Sequence, residues 1–357
     1  MWWRLELFFL FILSAYFFFQ PQTSLAQSLA FSRNARTFDS VQSTLFVKGM
    51  GHACLSMLRL PDGLPCNPAH VPFQKKPELG IQTLLSNGYS SLSNVRKLIK
   101  GEINQELVDG LFSESKIIQI EASADINFKT NLFNARYTPL NVKGFSVVRN
   151  EANPDVELSI VEEEGFLFQS GYEVYPNFLI GAQVRTLQRK FIKKRFKLVF
   201  LGTSEGKDYL KPETQRALYL EPGFTWIFPK LWNFRVSGMY VNWGDVSKDY
   251  ADFPIPPELQ MSVGFSPPVP WGHLDFSIDY KSLEYDESGL EKIRLGMAYQ
   301  FGAMHFSTGL DQNGSSAGIY YGLNQINAGV MFSTTRVLNE NEEFFTQTVY
   351  VQLGWGI

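Results

Sequence analysis

The feature that most constrains this chain is a two-residue alternation of apolar and polar side chains. Residues 347–357 place Val, Leu, Trp and Ile on one face and Thr, Tyr, Gln and Gly on the other. The same pattern returns in 291–301, 273–280, 217–228 and 118–128. Such alternation predicts β-strands with two different faces. A length of about ten residues is what a tilted strand needs to cross a bilayer.

About 14 to 16 segments of this kind can be found, and turn sequences such as Asn-Pro-Asp at 153–155 separate many of them. After residue 26 no stretch approaches the roughly 18 apolar residues of a spanning helix. The segments exceed the usual five or six residues of a strand, and aromatic residues recur near their ends. We therefore predict an all-β transmembrane antiparallel barrel, with a soluble periplasmic β-protein as the alternative.

The less apolar face of the predicted strands carries full charges. A small dry core could not hold such groups unpaired, whereas a water-lined barrel interior could. The residues predicted to line the lumen are Arg136, Arg185, Arg235, Asp275, Asp279 and Arg294.

Residues 1–26 have the pattern of a cleaved secretory signal. Arg4 precedes an apolar run at 7–19, and Ser24 and Ala26 supply small residues for a cleavage site. The run is too short for a spanning helix, which argues against an N-terminal membrane anchor. Export together with a barrel predicts the outer membrane of a Gram-negative cell.

The segment that follows the signal does not alternate cleanly. Apolar residues at helical spacing predict an amphipathic helix over 91–112, which Gly101 weakens in its middle. This helix could pack on the periplasmic end of the barrel or form part of a plug. We accordingly divide the chain into a signal (1–26), an N-terminal hatch (27–116) and a barrel (117–357).

The hatch carries the order Gly49, Gly51 and Ala53, then Asp62, then Asn67-Pro68-Ala69. This order resembles the long-chain fatty-acid transporter (FadL/TodX-like) superfamily of outer-membrane barrels, including its type IX secretion and TraF-like relatives. The resemblance implies about 14 strands, a hatch that occludes the lumen, and a hydrophobic ligand that crosses past it. It implies hatch or ligand-gating roles for Gly49, Gly51, Asn67, Pro68 and Ala69.

Cys54 and Cys66 are the two cysteines of the chain and lie 12 residues apart within the hatch. In an oxidising compartment such a pair is a candidate disulfide, with two free thiols as the alternative.

Two further segments bear on partners. Residues 349–357 resemble the terminal strand that the barrel assembly machinery recognises. The basic run 189–197 favours a solvated turn between strands, and contact with lipopolysaccharide phosphates is its alternative. Outer-membrane lipid and lipopolysaccharide are therefore predicted partners. The net charge of −3 shows no basic excess, so we predict no nucleic-acid partner.

The sequence offers little for catalysis. His305 and Ser307 alternate on one predicted face, as in some lipid-hydrolysing barrels, but no third orienting residue is evident. Two Cys and four His leave little material for a metal site. We predict no catalytic residues, no metal and no cofactor.

Taken together, these patterns predict passive uptake of hydrophobic, fatty-acid-like small molecules, with a possible hydrophobic ligand bound in the barrel. A non-conducting accessory barrel in protein secretion or envelope structure is the main alternative.

Overall fold

A computed structural model describes residues 44–74, 76–102, 107, 111, 117–149, 155–199, 208–248, 255, 257–282, 293–311, 314–323, 325–339 and 342–357. The predicted signal peptide (1–26) and much of the predicted helix beyond residue 102 lie outside these ranges.

One antiparallel sheet contains all the described strands. They are β1 Glu78–Ser86, β2 Ile117–Lys129, β3 Phe133–Arg149, β4 Asp155–Tyr175, β5 Phe178–Lys197, β6 Glu213–Phe228, β7 Phe234–Val241, β8 Gly244–Val246, β9 Glu258–Phe265, β10 His273–Ser282, β11 Ile293–Phe301, β12 Met304–Asp311, β13 Gly314–Leu323, β14 Ile326–Asn339 and β15 Glu342–Gly356. The helical elements are α1 Leu45–Gly49, α2 Leu92–Ile99, and 3-10 turns at Pro68–Phe73 and Tyr89–Ser91.

The sheet closes on itself. Each strand pairs with its neighbours in the chain, β1 pairs with β15, and the short β8 adds to β6 beside the end of β7. Fourteen strands thus form a closed antiparallel barrel, as predicted. Closure pairs the backbone groups of every strand, which is what allows a sheet to exist in lipid.

The two ends of the barrel differ. Connections such as 130–132, 176–177 and 302–303 are tight turns, and we call this the short-turn end. The opposite, long-loop end carries the connections 198–212 and 247–257, among others. The start of β1 lies beside the end of β15 at the short-turn end, where Gly80 pairs with Gly356.

The outer wall is apolar. Its outward side chains include Ile81, Phe168, Leu220, Ile278 and Leu353, which are 39–59% exposed. Aromatic rings contact one another on this wall, for example Phe128 with Phe133 and Trp226 with Phe228. An apolar belt with aromatic girdles is typical of the lipid-facing surface of a barrel. Among the described residues, no helix is long and apolar enough to cross a membrane.

The predicted boundary between hatch and barrel, at residues 116 and 117, is wrong. Strand β1 lies inside the range predicted as hatch, and it pairs with both β2 and β15. Its alternation is obscured because polar Thr83 faces outward and apolar Leu84 faces inward. The barrel therefore begins at Glu78.

Helix α2 forms within the predicted range and ends just before Gly101, whose φ is +80°. It occupies the connection between β1 and β2, which lies at the long-loop end. Its buried residues Val95, Leu98 and Ile99 pack against β2 to β5.

The face that α2 covers is the outer one. One row of cross-strand partners runs across β2 to β5 through Ile120, Gly144, Ile160 and Ile192. Residues paired in this way lie on the same face of the sheet. Glu121, the next residue after Ile120, points to the other side, where it meets the hatch. Helix α2 therefore lies against the outer face of the wall at the long-loop end.

Candidate functional site in the barrel lumen

Residues 44–74 are the described part of the predicted hatch that precedes β1, and the name hatch refers to them from here on. They lie inside the barrel against β12 to β15 and β4 to β6. Leu45, Met50 and Ala53 are almost completely buried. Cys54 and Cys66 form a disulfide, which joins the two halves of the segment. Most of the hatch is therefore packed interior and not surface loop.

A buried carboxylate holds the start of the hatch. Asp62 accepts hydrogen bonds from Thr44 Oγ1 at 2.8 Å, from the Phe46 backbone N–H at 3.2 Å and from Gln352 Nε2 at 3.0 Å. Thr44 also caps α1 through its side chain. Burial raises the pKa of Asp62, and these hydrogen bonds oppose that shift. The site joins the start of the hatch to its middle and, through Gln352, to β15.

The Asn-Pro-Ala sequence forms a tight 3-10 turn. Asn67 Oδ1 accepts from the Ala69 N–H at 3.0 Å, and Pro68 follows as the first helical residue. Asn67 Nδ2 donates to the Phe224 carbonyl at 3.0 Å and to Thr225 Oγ1 at 3.2 Å. The single Asn side chain thus caps the turn and attaches it to β6.

Gly49 and Gly51 allow the hatch backbone to touch the wall. A Cβ on Gly49 would overlap Ser307 Oγ, and one on Gly51 would lie 2.7 Å from the Leu310 backbone nitrogen. Gly51 also has φ +59°, a conformation that favours glycine. Gly51 requires glycine because its φ is positive and the backbone of β12 passes so close, whereas Gly49 fits closely against the Ser307 side chain.

The wall contributes a matching set of glycines. At each, an added Cβ would collide with the hatch, which leaves no space for a side chain. Sequence analysis did not name them as a site, although a glycine at an inward position of an alternating strand is the signal that could have identified them. They are Gly171, Gly181, Gly223, Gly264, Gly296, Gly309 and Gly329.

Two charged wall residues bind the hatch directly. Lys48 Nζ lies 2.9 Å from Glu121 Oε2, with both side chains 8% exposed. Asp279 Oδ2 accepts from the backbone N–H groups of Cys54 and Leu55, each at 2.9 Å. Charge-assisted bonds of this kind are strong when they are buried.

All six residues predicted to line the lumen face the interior and are at most 8% exposed. Arg185 pairs with Glu221 at 2.8 Å, and Arg235 pairs with Asp275 at 2.8 Å. Arg136 Nε donates to Asn127 Oδ1 at 2.7 Å, and Arg294 borders a cavity beside Asp279. These charges form a packed polar network around the hatch, so they do not line an open aqueous channel.

The cavity next to the disulfide is small. It measures about 30 Å³, and its lining includes His52, Leu167, Met239 and Arg294. That is room for about two water molecules, whereas a benzene molecule needs a cavity of about 150 Å³. The hatch therefore leaves little free space beside the disulfide.

Apolar side chains face the lumen around this cavity and beyond it. Leu55 of the hatch packs with Met239 and Val241 of β7. Further along, Leu187, Ala217 and Tyr219 form a second cluster with Val246 and Ile255. The interior thus contains buried apolar clusters at and beyond the hatch, on the way to the long-loop end.

Besides His52, two more histidines lie in this interior. His70 Nε2 lies 2.8 Å from Thr225 Oγ1, and burial, together with the charge of Arg235, lowers the pKa of His70 to about 3. His305 packs edge-on against Phe46 and Tyr320, and Ser307 contacts Gly49. Among the described residues, no group of three or more His, Cys, Asp or Glu side chains could hold a metal ion.

The basic run 189–197, predicted to be a turn, is part of strand β5, which continues to Lys197. Phe191, Ile192 and Phe196 are buried on the two faces of this strand, and their burial explains why the run is ordered.

In sequence, the chain matches no protein-family model and no curated protein. In fold it is similar to the solved structure described as the CymD monoaromatic hydrocarbon channel, with a TM-score of 0.51, 11% identity, and coverage of 90% of this chain and 98% of that one. The toluene transporters TbuX of Ralstonia pickettii (TM-score 0.49, 11% identity, 89% and 99% coverage) and TodX of P. putida (0.48, 9%, 89% and 98%) are also similar. The predicted resemblance to the FadL/TodX-like superfamily is thereby confirmed at the level of the fold.

Proposed function

We propose that this chain is an outer-membrane barrel that mediates the passive uptake of hydrophobic small molecules past its hatch. The observation that carries the proposal is the hatch itself, which reduces the free space near the disulfide to about 30 Å³. A barrel closed in this way passes a ligand when the hatch rearranges. The fold that the chain shares with a hydrocarbon channel supports the same function.

The apolar clusters of the lumen support a hydrophobic ligand. General porins have a polar, water-filled interior, whereas here the second cluster has a fully buried Tyr219 beside Leu187 and Ala217. With the short turns in the periplasm and the long loops outside, a ligand would reach these clusters before it reaches the hatch. Apolar pockets with a few polar groups are typical of small-molecule sites.

An interruption in the wall supports a lateral exit. The pairing of β3 with β4 shifts between Thr138 and Asn141, and the pairing of β2 with β3 shifts between Ala124 and Ile126. Pro139 lies at this bulge and has no N–H to donate. A ligand displaced from the lumen could leave for the lipid where the ladder is weakest, with the periplasm as the alternative exit.

A hatch locked to the wall tests the proposal. Ser56 Oγ and Ser277 Oγ lie 2.7 Å apart, so the double variant Ser56→Cys/Ser277→Cys should cross-link the hatch to β10. We expect the oxidised double variant to lose uptake of radiolabelled toluene and decanoate, and reductant to restore it. The single variant Ser277→Cys is the matched control.

Normal uptake by a fully cross-linked barrel, with the linkage verified by mass spectrometry, would contradict the proposal. Deletion of the gene separates the alternatives further. Unchanged uptake together with the loss of surface proteins would favour an accessory barrel in secretion.

A further inference from the structure

The alternation of β5 divides the cations of the basic run between the two sides of the barrel wall. Arg189 faces the lumen, where it is 2% exposed and its Nε donates to Gln215 Oε1 at 2.6 Å. Lys190 faces outward and is exposed. Part of this charge therefore lies on the outer surface, where sequence alone had placed a turn.

The outward cations lie at the upper edge of the apolar belt. On β6, Arg216 is exposed directly above Leu218 and Leu220, which are 53% and 46% exposed. On β5, Lys190 lies three outward positions beyond Val184, toward the long-loop end. This separation is about 20 Å along the strand, and less along the membrane normal because the strand is tilted. Both cations are thus on the long-loop side of the lipid-facing surface, where lipid headgroups begin.

The two side chains are close to each other. Lys190 pairs across the sheet with Thr214, and Gln188 pairs with Arg216. Lys190 and Arg216 are therefore diagonal neighbours on one face, about 7–8 Å apart between backbones. Among the residues that the structure describes, no carboxylate lies within 4.0 Å of either side chain.

Helix α2 adds cations to the same surface. Its apolar residues fix it on the outer face of the sheet, and Arg96 lies 3.5 Å from Glu162. Glu162 is the cross-strand partner of Lys190, so Arg96 lies next to the pair. Lys97 is also exposed on this helix.

We infer that Arg96, Lys97, Lys190 and Arg216, the outer cationic patch, bind the phosphate groups of an anionic glycolipid in the outer leaflet. Guanidinium and ammonium groups pair strongly with phosphate, and Arg can do so with two parallel hydrogen bonds. The apolar wall below, at Val184, Leu218 and Leu220, would contact the acyl chains of the same molecule. A free anion would use the charges but not this wall. The inference does not depend on what passes through the lumen.

The test uses the full barrel in detergent, with lipid A and chemically dephosphorylated lipid A as probes. The variant Lys190→Gln/Arg216→Gln removes two exposed charges, and Lys76→Gln/Lys230→Gln removes two exposed charges away from the patch as the matched control. Native mass spectrometry should show at least tenfold weaker binding of lipid A to the patch variant. The control should bind as the wild type does, and dephosphorylated lipid A should bind weakly to all three proteins.

Equal binding of lipid A to the patch variant and the wild type would overturn the inference, as would equal binding of the dephosphorylated lipid. Competition by inorganic phosphate at the same concentration as lipid A would also overturn it, because the site would then be a simple anion site. Heat-modifiable gel mobility confirms that each variant is folded. Arg96→Gln/Lys97→Gln provides a second variant with the same expected loss.

Discussion

The hatch covers the inner face of the barrel wall, whereas helix α2 covers the outer face at the long-loop ends of β2 to β5. Around the hatch the inward face is buried and the outward face meets lipid, as at Gly309 and Leu310. At the long-loop ends of β2 to β5, α2 also covers the outward face, so Ile120 and Ile160 are buried there. Strand length accounts for the difference, since β4 has 21 residues and β9 has 8. The longer strands extend past the belt into water, where their outward apolar residues need a cover.

The two regions also differ in how they are packed. The hatch touches the wall through backbone at glycines and through buried polar groups, in addition to apolar contacts such as that of Leu55 with Met239. Helix α2 touches the wall chiefly through aliphatic side chains, as in an ordinary core. Changes in one region should therefore leave the other intact, and the predictions below test that independence from the largest expected effect to the smallest.

The largest effect is expected from Lys48→Met. The substitution leaves Glu121 buried without its nearest cation, which costs about 3–5 kcal/mol of hatch docking. We expect faster protease cleavage of the hatch and a higher single-channel conductance in planar bilayers, with unchanged hydrogen exchange in α2. The exposed Lys76→Met is the control. A conductance equal to wild type would argue against the pair as an anchor.

The converse variant is Leu98→Ala. Leu98 is 1% exposed in the core beneath α2, and its truncation should cost about 2–4 kcal/mol of local stability. Hydrogen exchange of α2 amides should accelerate, whereas conductance should stay at the wild-type value. Ser93→Ala, at an exposed position of the same helix, is the control. A rise in conductance would show that the two regions are coupled.

Gly309→Ala tests the backbone contact between wall and hatch. Its Cβ would overlap the Met50 and Gly51 backbone, and overpacking of this kind costs about 1–3 kcal/mol. We expect partial release of the hatch, seen as increased proteolysis. Gly322→Ala is the matched control, because its Cβ would lie 3.5 Å from the nearest atom, Tyr320 Cε1. Equal proteolysis of the two variants would contradict the close fit.

The smallest effect concerns pH. The pKa of His70 is about 3 in the docked hatch and near 6.5 when the hatch is released, so the released form takes up the proton first. The contribution of neutral His70 to the stability of the docked hatch is fully present above pH 6.5 and is lost as the pH falls toward 3. Wild type and His70→Gln should therefore differ in how proteolysis of the hatch depends on pH within this window. Parallel pH profiles would contradict this account.

The barrel could be predicted from sequence because alternation is a local property of each strand. Residues 347–357 and 273–280 show it without any knowledge of their neighbours. The turn at Asn67-Pro68-Ala69 is equally local, since the cap and the proline act within three residues. Strand β1 was missed because Thr83 and Leu84 reverse the expected polarity, and the ladders to β2 and β15 hold it in place nonetheless.

The position of α2 could not be predicted. Its amphipathic pattern requires an apolar partner surface, but the pattern does not specify which one. The partner comes from four strands, with Ile120, Ile160 and Ile192 on a face that elsewhere in the barrel meets lipid. Alternation cannot indicate where a strand leaves the bilayer.

The sequence by itself determined that the chain forms two-faced strands, that Asn67 caps a tight turn, and that charges such as Arg235 lie on the inward face. These are consequences of local periodicity and of the stereochemistry of single residues. Tertiary structure decided which inward glycines receive the hatch, which cations pair with which carboxylates, and where Lys190 meets the outer surface. Those outcomes depend on strands far apart in the chain that the closure of the barrel brings together.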